Sequence, residues 1–204
     1  MRKSTNKWTR RQAEDPFVKR RQREGHRSRA AFKLEELNKK DRLISAGDYV
    51  IDLGSAPGGW TESASKLSGK TGKVVAIDRR RMDEINCVTF LEGSCSDNEI
   101  IERVKKIFGS RGVDLVLSDL APNITGIRVV DEAAWKELIE VSLGYVNTFL
   151  RPGGSFVAKF FQFEDTEEII SDLKSQFSSV NRRKPASSRK ESREFFIVAK
   201  EYKV

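Results

Sequence analysis

The chain is 204 residues long, enough for one domain with a substantial core, and no apolar run approaches the roughly 20 residues that span a bilayer. Its formal net charge is +8, and the excess is local: residues 1–29 hold 11 of the 38 Lys and Arg and 3 of the 30 acids, so 27 of each sign remain beyond them. The basic N-terminus has no apolar segment behind it, and Cys87 and Cys95 have no metal-ligand spacing, so a soluble, cytoplasmic protein with reduced cysteines and no metal is expected.

A basic arm of this kind is a usual footprint of polyanion binding. A solubilising tail is the alternative for its first dozen residues, and a membrane-surface helix is disfavoured because few large apolar side chains are available to insert. Residues 1–15 read as loosely ordered around Trp8, and 16–29, with Phe17 and Val18, as a segment that becomes helical on docking. A helix then starts at Ser28, a candidate N-cap. Ala30, Leu34 and Leu37 form its buried stripe, Phe32 falls on the face of Glu35 and Glu36, and Lys33 lies beside the stripe.

Next come a strand at Tyr49-Val50-Ile51, the turn Asp52-Leu53-Gly54-Ser55-Ala56-Pro57-Gly58-Gly59-Trp60, a helix over 61–67, and a strand at 73–77 that ends on Asp78. Residues 87–91 read as a third strand, 97–108 as a helix, and 112–118 as a fourth strand, continuous in apolar residues as a buried parallel strand is. After the turn at Asp119-Leu120-Ala121-Pro122-Asn123, a helix over 131–150 is stopped by Pro152-Gly153-Gly154. A strand at 155–161, a helix at 164–177 and strands at 179–183 and 194–200 complete the pattern. It predicts an α/β protein with a mostly parallel seven-stranded sheet, helices on both faces and an antiparallel last strand, in a single domain over residues 30–204.

The turn at 52–60 has the spacing G-x-x-x-G-G. It is neither the dinucleotide fingerprint G-x-G-x-x-G nor a phosphate loop ending in G-K-[ST]. Asp78 lies 20 residues past Gly58, where a doubly wound sheet places the acid that binds ribose hydroxyls. A nucleoside cofactor without a pyrophosphate fits best, and S-adenosylmethionine is the candidate. The plain alternative is a tight turn followed by a surface acid. Asp52, Asp78 and Asp119 all fall at strand ends and are expected to crowd one rim. Lys159 sits in the apolar strand Phe-Val-Ala-Lys-Phe-Phe, although lysine is rarely buried without a partner. Either it pairs with a structural acid, or burial and a neighbouring lysine depress its pKa so that it can take a proton. The one histidine, His26, lies in the arm, which argues against a Ser-His-Asp hydrolase and most zinc chemistry.

Five stretches taken together resemble the FtsJ/RrmJ family of S-adenosylmethionine-dependent RNA ribose 2′-O-methyltransferases, over nearly the whole chain. They are Arg27-Ser28-Arg29-Ala30-Ala31-Phe32-Lys33-Leu34, residues 52–60, Ser118-Asp119-Leu120-Ala121-Pro122-Asn123, Gly153-Gly154-Ser155-Phe156-Val157-Ala158-Lys159, and Arg183-Lys184-Pro185 through Ser192-Arg193-Glu194. The resemblance implies a Rossmann-like methyltransferase fold and a catalytic Lys-Asp-Lys-Glu tetrad at Lys33, Asp119, Lys159 and Glu194. Lys159 would remove or stabilise the proton of the target hydroxyl, Asp119 would hold its ammonium, Lys33 would lower its pKa, and Glu194 would position the lysines or the ribose. The implied cofactor residues are Asp52, Gly54, Gly58, Gly59, Trp60, Asp78, Ser94 and Asp119, with Gly58 and Trp60 near the methionine part.

One departure is Gly93-Ser94, where the family usually has an acid after the glycine; Ser94 offers adenine one hydrogen bond, and Asp97 is a possible substitute through a loop shift. Arg79-Arg80-Arg81 reads either as an RNA contact or as a solvated face. The implied partner is large-subunit ribosomal RNA or the assembled large subunit, met by a monomer through the arm, the helix that carries Lys33, and the Arg182-Arg183-Lys184 and Arg189-Lys190 cluster. Within the family the brevity of the chain and Asn123 are most like members that methylate a uridine of the ribosomal A-loop. The alternatives are a tRNA 2′-O-methyltransferase of the same family and a non-catalytic RNA-binding protein on the same scaffold. A small-molecule or protein methyltransferase has no need of the lysine pair or the arm, and a dehydrogenase would need the other glycine spacing.

Overall fold

The structure, a computed structural model, describes residues 24–188 and 192–203. The expected order of residues 1–23, and the Arg189-Lys190 pair, lie outside them.

Among the described residues seven strands and five α-helices follow one another. They are α1 (Ala30–Asp41), β1 (Tyr49–Leu53), α2 (Gly59–Ser68), β2 (Lys73–Asp78), β3 (Val88–Glu92), α3 (Asn98–Phe108), β4 (Val113–Ser118), α4 (Arg128–Phe149), β5 (Leu150–Phe161), α5 (Thr166–Gln176), β6 (Phe177–Arg183) and β7 (Glu194–Tyr202). The sheet runs in the order β3-β2-β1-β4-β5-β7-β6. The pairs from β3 to β5 are parallel, and β7 runs antiparallel to both β5 and β6. The seven-stranded sheet with its antiparallel last strand is therefore the predicted one.

Period-two alternation sends successive side chains to opposite faces of a strand. On one face Ile51, Leu53, Val75, Ile77 and Val116 meet Ile100 and Val104 of α3, Trp135, Ile139 and Val146 of α4, and Leu173 of α5. On the other, Val50, Val74, Leu115, Leu117 and Val157 meet Leu34 and Leu37 of α1 and Trp60 and Ala64 of α2. A sheet covered on both faces explains why its central strands are nearly continuous in apolar residues.

Three local expectations change. Ser28 is not the N-cap of α1; that position falls to Arg29, in helical conformation and without a side-chain cap. Ser28 Oγ is instead packed where a side chain on Gly59 would collide with it, so the missing Cβ of Gly59 lets the starts of α1 and α2 touch. Secondly, the buried surface of α1 is wider than one stripe. Leu34 and Leu37 are buried as expected, but so are Ala31, Phe32 and Lys33, whereas Ala30 is only half-buried. The cause is tertiary: the His26 ring packs edge-on against Phe32 at 4.8 Å, and Glu36 accepts the N–H groups of Ala186 and Ser187 at 2.6 and 3.1 Å. Thirdly, Pro152-Gly153-Gly154 does not separate α4 from β5. The strand begins at Leu150, and its register to β4 shifts between Leu150 and Ser155, opposite Asp114. Arg151 Nε bonds Asp114 Oδ1 at 2.6 Å across that bulge, which holds the strand to its neighbour where the ladder is interrupted. No helix among the described residues is long and apolar enough to cross a membrane.

Candidate active site

A cleft of about 620 Å³ opens along the carboxyl ends of the parallel strands, where open α/β sheets hold their ligands. Gly54 and Ala56 of the β1–α2 turn line it, with Asp78, Arg79 and Arg80 after β2, Gly93 to Ser96 after β3, Asp119 to Asn123 after β4, Lys159 of β5, and Glu137, Leu138 and Val141 of α4. Gly54 is needed here as glycine, because its φ is +75° and a Cβ would stand 2.9 Å from Leu120 Cδ2.

At one end of this cleft stand Lys159 and Asp119, and beside them, outside the cleft lining, Lys33 and Glu194. Lys159, 8 % exposed, projects from the sheet face that carries Phe196, its partner across β5 and β7. Its Nζ donates to the main-chain oxygen of Asp119 at 2.7 Å and to Asp119 Oδ1 at 2.9 Å. An ammonium has three N–H donors, so one remains for a ligand in the cleft. Lys33, reaching in from α1, donates to Glu194 Oε1 at 2.5 Å and lies 5.3 Å from the centre of the Phe196 ring. Burial works to raise the Glu194 carboxyl, but Lys33, with Lys159 and the Ser188 hydroxyl at 3.1 Å, holds it below the ordinary carboxylate range. Each lysine thus has its own carboxylate, and Glu194 feels both lysines.

The hairpin that delivers Glu194 is fastened to α1. Besides the two bonds to Glu36, Arg29 donates to the Ser187 carbonyl at 2.6 Å, and Arg183 forms a fork on Asp41 with contacts of 2.6 to 3.2 Å. Sequence reasoning missed Glu36, Arg29, Asp41 and Ser188, since each is an ordinary helix or turn residue until the hairpin folds over α1.

The remaining expected cofactor residues divide. Asp78 lines the cleft, with Oδ2 taking the Ala56 N–H at 2.9 Å and Oδ1 the Arg80 N–H at 2.7 Å. Asp119 lines it too. Asp52 lies 1 % exposed behind the turn, where Oδ2 accepts the Thr61 hydroxyl at 2.6 Å and Oδ1 is buried with no partner. Burial pushes its carboxyl up to about 7 against the Thr61 bond, and the charges of Asp119 and Asp78 push the same way. The Trp60 side chain faces away from the cleft, 2 % exposed among Leu34, Val74 and Phe196, with Nε1 donating to the Ala30 carbonyl at 2.8 Å. Its indole is core, and what it can offer a ligand is the backbone N–H at the first turn of α2. Gly58 (φ +102°) and Gly59 do not line the cleft either; Gly58 packs against Ile85 and Arg27, and Gly59 against Ser28 and Ala31. Ser94 does line the cleft, but Asp97 does not: its Oδ2 takes the Ser94 N–H at 3.0 Å. Arg79 and Arg80 prove to be cleft residues, which the open choice between RNA contact and solvated face did not include.

These features fit S-adenosylmethionine. Three carboxylates gather under one glycine turn, and an ammonium or sulfonium relieves their mutual repulsion where a phosphate would add to it. Asp52 Oδ1, buried without a partner behind the turn, does not line the cleft, and its charge adds to the negative field there. Asp78, Asp119, Gly54 and Ala56 are the lining residues that would hold the cofactor, with Asp52 behind the turn.

The strand order and the carboxylate-lined cleft define a Rossmann-like methyltransferase fold. In fold the chain is similar to the Aeropyrum pernix fibrillarin solved with natively bound S-adenosyl-L-methionine (17 % identity, TM-score 0.54, covering 83 % of this chain and 75 % of that one). A protein of Plasmodium falciparum assigned as a ribosomal RNA methyltransferase superposes more fully, with 26 % identity, a TM-score of 0.78, and coverage of 87 % of this chain and 98 % of that one. Residues 26–202 match the FtsJ-like methyltransferases, and the chain belongs to that family. Among its relatives, a protein of Marinobacter nauticus named ribosomal RNA large subunit methyltransferase E is 46 % identical over 99 % of this chain and 98 % of its own length. The protein of the same name from Stutzerimonas stutzeri is 43 % identical over 98 % of each.

Proposed function

We propose that this protein transfers a methyl group from S-adenosylmethionine to the ribose 2′-hydroxyl of a uridine in large-subunit ribosomal RNA. The observation that carries this reading is the pairing of Lys159 with Asp119 at the reactive end of the cleft, beside the second pair, Lys33 with Glu194. The names of the two bacterial relatives support the choice of RNA.

S-adenosylmethionine supplies an activated methyl group on a sulfonium, so the protein's work is alignment and management of one proton. Lys159, held by two bonds to Asp119, has one direction left, toward the cleft. As the neutral amine it keeps two N–H donors on Asp119 and turns its lone pair there, which takes the proton of the 2′-hydroxyl as the oxygen bonds the methyl carbon and the sulfonium leaves as a thioether. Asp119 fixes the amine at that spot. Glu194, held by Lys33 and Ser188, adds a negative charge that keeps the two lysines close to each other and orients the ribose. The arm of residues 1–29, with Arg182 and Lys184, holds RNA phosphates, which position the strand without reading its sequence, whereas Arg183 is taken up by Asp41. A monomer suffices for this, with target choice resting on RNA shape.

The test is incubation with labelled S-adenosylmethionine and, separately, unmodified large ribosomal subunits, their free RNA and total tRNA, followed by mapping of ribose methylation. One 2′-O-methyluridine in large-subunit RNA, lost with Lys159→Ala, is the expected result. Label confined to tRNA would overturn the substrate, and label on a base would overturn the chemistry.

A further inference from the structure

After β4, residues 119–123 line the cleft, and the chain then runs out of it through Ile124 to the start of α4. Of the five large apolar side chains exposed among the described residues, four fall within residues 124–130: Ile124, Ile127, Val129 and Val130, 48 to 76 % exposed. Single exposed apolar residues are ordinary, but a cluster of them marks a surface that meets a partner.

A polar anchor, not burial of these apolar groups, holds the loop in shape. Asp131, itself buried, accepts the Thr125 N–H and hydroxyl through Oδ1, each at 2.7 Å, and the Gly126 N–H through Oδ2 at 3.1 Å. The Thr125 hydroxyl oxygen in turn accepts the Ile127 N–H at 3.1 Å. Gly126, at φ +87°, takes a backbone conformation that a side chain would strain. Ile124 and Ile127 are thus presented to solvent on a preformed loop, and a ligand need not order it first.

We propose that residues 124–130 form an apolar ledge that receives unstacked bases of the RNA next to the target ribose, with Ile124 and Ile127 against base faces and Arg128 on a neighbouring phosphate. The inference rests on the reading of the cleft as an RNA ribose methyltransferase site. Asn123 of the cleft lining and Ile124 are chain neighbours, about 3.8 Å apart between Cα atoms, so a strand whose ribose reaches Lys159 has its adjoining nucleotides at the ledge. RNA loops are recognised through bases splayed out of the stack, and aliphatic side chains serve as wedges that keep bases apart. Arg128 is exposed between Ile127 and Val129 and has no ion pair among the described residues, which leaves its guanidinium for a phosphate. Four aliphatic side chains in one loop fall far short of the roughly 20 residues that each partner gives to a stable protein interface, whereas they suffice for base faces.

The test uses large ribosomal subunits lacking the modification. Steady-state methylation is measured for the wild type, for the double variant Ile124→Ser with Ile127→Ser, and for Leu67→Ser, the exposed apolar position outside the loop. The double variant is expected to lose about tenfold in kcat/KM, mostly through KM, which corresponds to uncovering about one large aliphatic side chain. Its affinity for S-adenosylhomocysteine and its thermal midpoint should stay at wild-type values, and Leu67→Ser should behave as wild type throughout. With Ile127 replaced by the photoreactive p-benzoylphenylalanine, crosslinks are expected in the nucleotides next to the methylated ribose. Unchanged kcat/KM in the double variant would overturn the inference, as would loss of S-adenosylhomocysteine binding by it. Crosslinks to a ribosomal protein or to distant RNA, or none to RNA at all, would overturn it likewise. A wild-type protein that methylates no ribose would instead sink the proposed function, and the ledge with it.

Discussion

The two ends of the cleft hold charge in opposite ways. At the reactive end Lys33 and Lys159 are each 8 % exposed, and each is locked to a carboxylate. At the other end Arg79 and Arg80 are exposed; Arg79 bonds the Ser94 hydroxyl, and Arg80 bonds the Ala56 carbonyl at 3.0 Å and lies a looser 3.6 Å from Asp78 Oδ1. A buried charge without a partner costs several kcal/mol, so the first end tolerates one geometry only. An exposed arginine is screened by water and constrains little. Substitutions at the reactive end should therefore damage chemistry and folding together, while those at the other end should change which ligand is held.

The sharpest break of this contrast is at Lys159. Removal of a positioned proton acceptor typically costs 10²–10⁴-fold, and Lys159→Ala is expected to lose about that much turnover while still binding S-adenosylhomocysteine. Lys159→Arg separates proton transfer from charge. Arginine keeps a cation and donors for Asp119 but does not give up its proton. Single-turnover rates for Lys159→Arg as low as for Lys159→Ala are the expected outcome. An arginine variant that kept a tenth or more of wild-type turnover would reassign Lys159 to holding the oxygen by charge alone.

The second pair tests the folding half of the contrast. Glu194→Gln leaves Lys33 buried without its bonded carboxylate and is expected to destabilise the protein by on the order of 3 kcal/mol in denaturant titrations, and Lys33→Ala, which leaves Glu194 the charge of Lys159, by less. The double variant Lys33→Met with Glu194→Leu should regain most of that stability and none of the turnover. Because Lys33 holds the Glu194 carboxyl below its usual 4.5, the stability the pair confers is complete above that value. It is lost as the pH falls through the lower value of the folded state. A double variant no more stable than the singles would show that the pair is not where the cost lies.

Much of this arrangement is legible in the sequence, for physical reasons. β-Branched runs, the glycine turn and the strand-end acids are local signals, and they placed every strand and the rim of Asp52, Asp78 and Asp119. An embedded charge such as Lys159 is visible because the apolar strand around it is continuous. Sequence misjudged what depends on contact across the fold. The Trp60 indole follows a cofactor turn but is claimed by Phe196 and the carbonyl of Ala30. Phe32 is buried because His26 and the hairpin flank its helix on the side that spacing leaves to water. The same hairpin needs Glu36, some 150 residues away, to hold its backbone. Arg79 reads as a surface residue until β3 brings Ser94 beside it.

Asp52 stands between the two ends and gives the smallest effect and the finest test. Its carboxyl is raised from 3.8 to about 7 by burial, so it enters neutral solution partly protonated. The proton it keeps on folding favours the folded chain in acid, and that share of stability is lost as the pH climbs from 3.8 to about 7. A cationic ligand acts in the other direction, because it binds the ionised form and must expel the proton. The affinity for S-adenosylhomocysteine, whose ammonium the Asp52 charge attracts from behind the turn, should therefore rise with pH by up to about tenfold per unit below 7 and level off above it. Asp52→Asn, which keeps the Thr61 bond but cannot titrate, should flatten that rise. Calorimetry in buffers of different ionisation enthalpy should show about one proton released per ligand bound near pH 6 in the wild type and none in the variant. Equal proton release by both proteins would place the cation on Asp78 or Asp119 instead and leave Asp52 as a purely structural partner of Thr61.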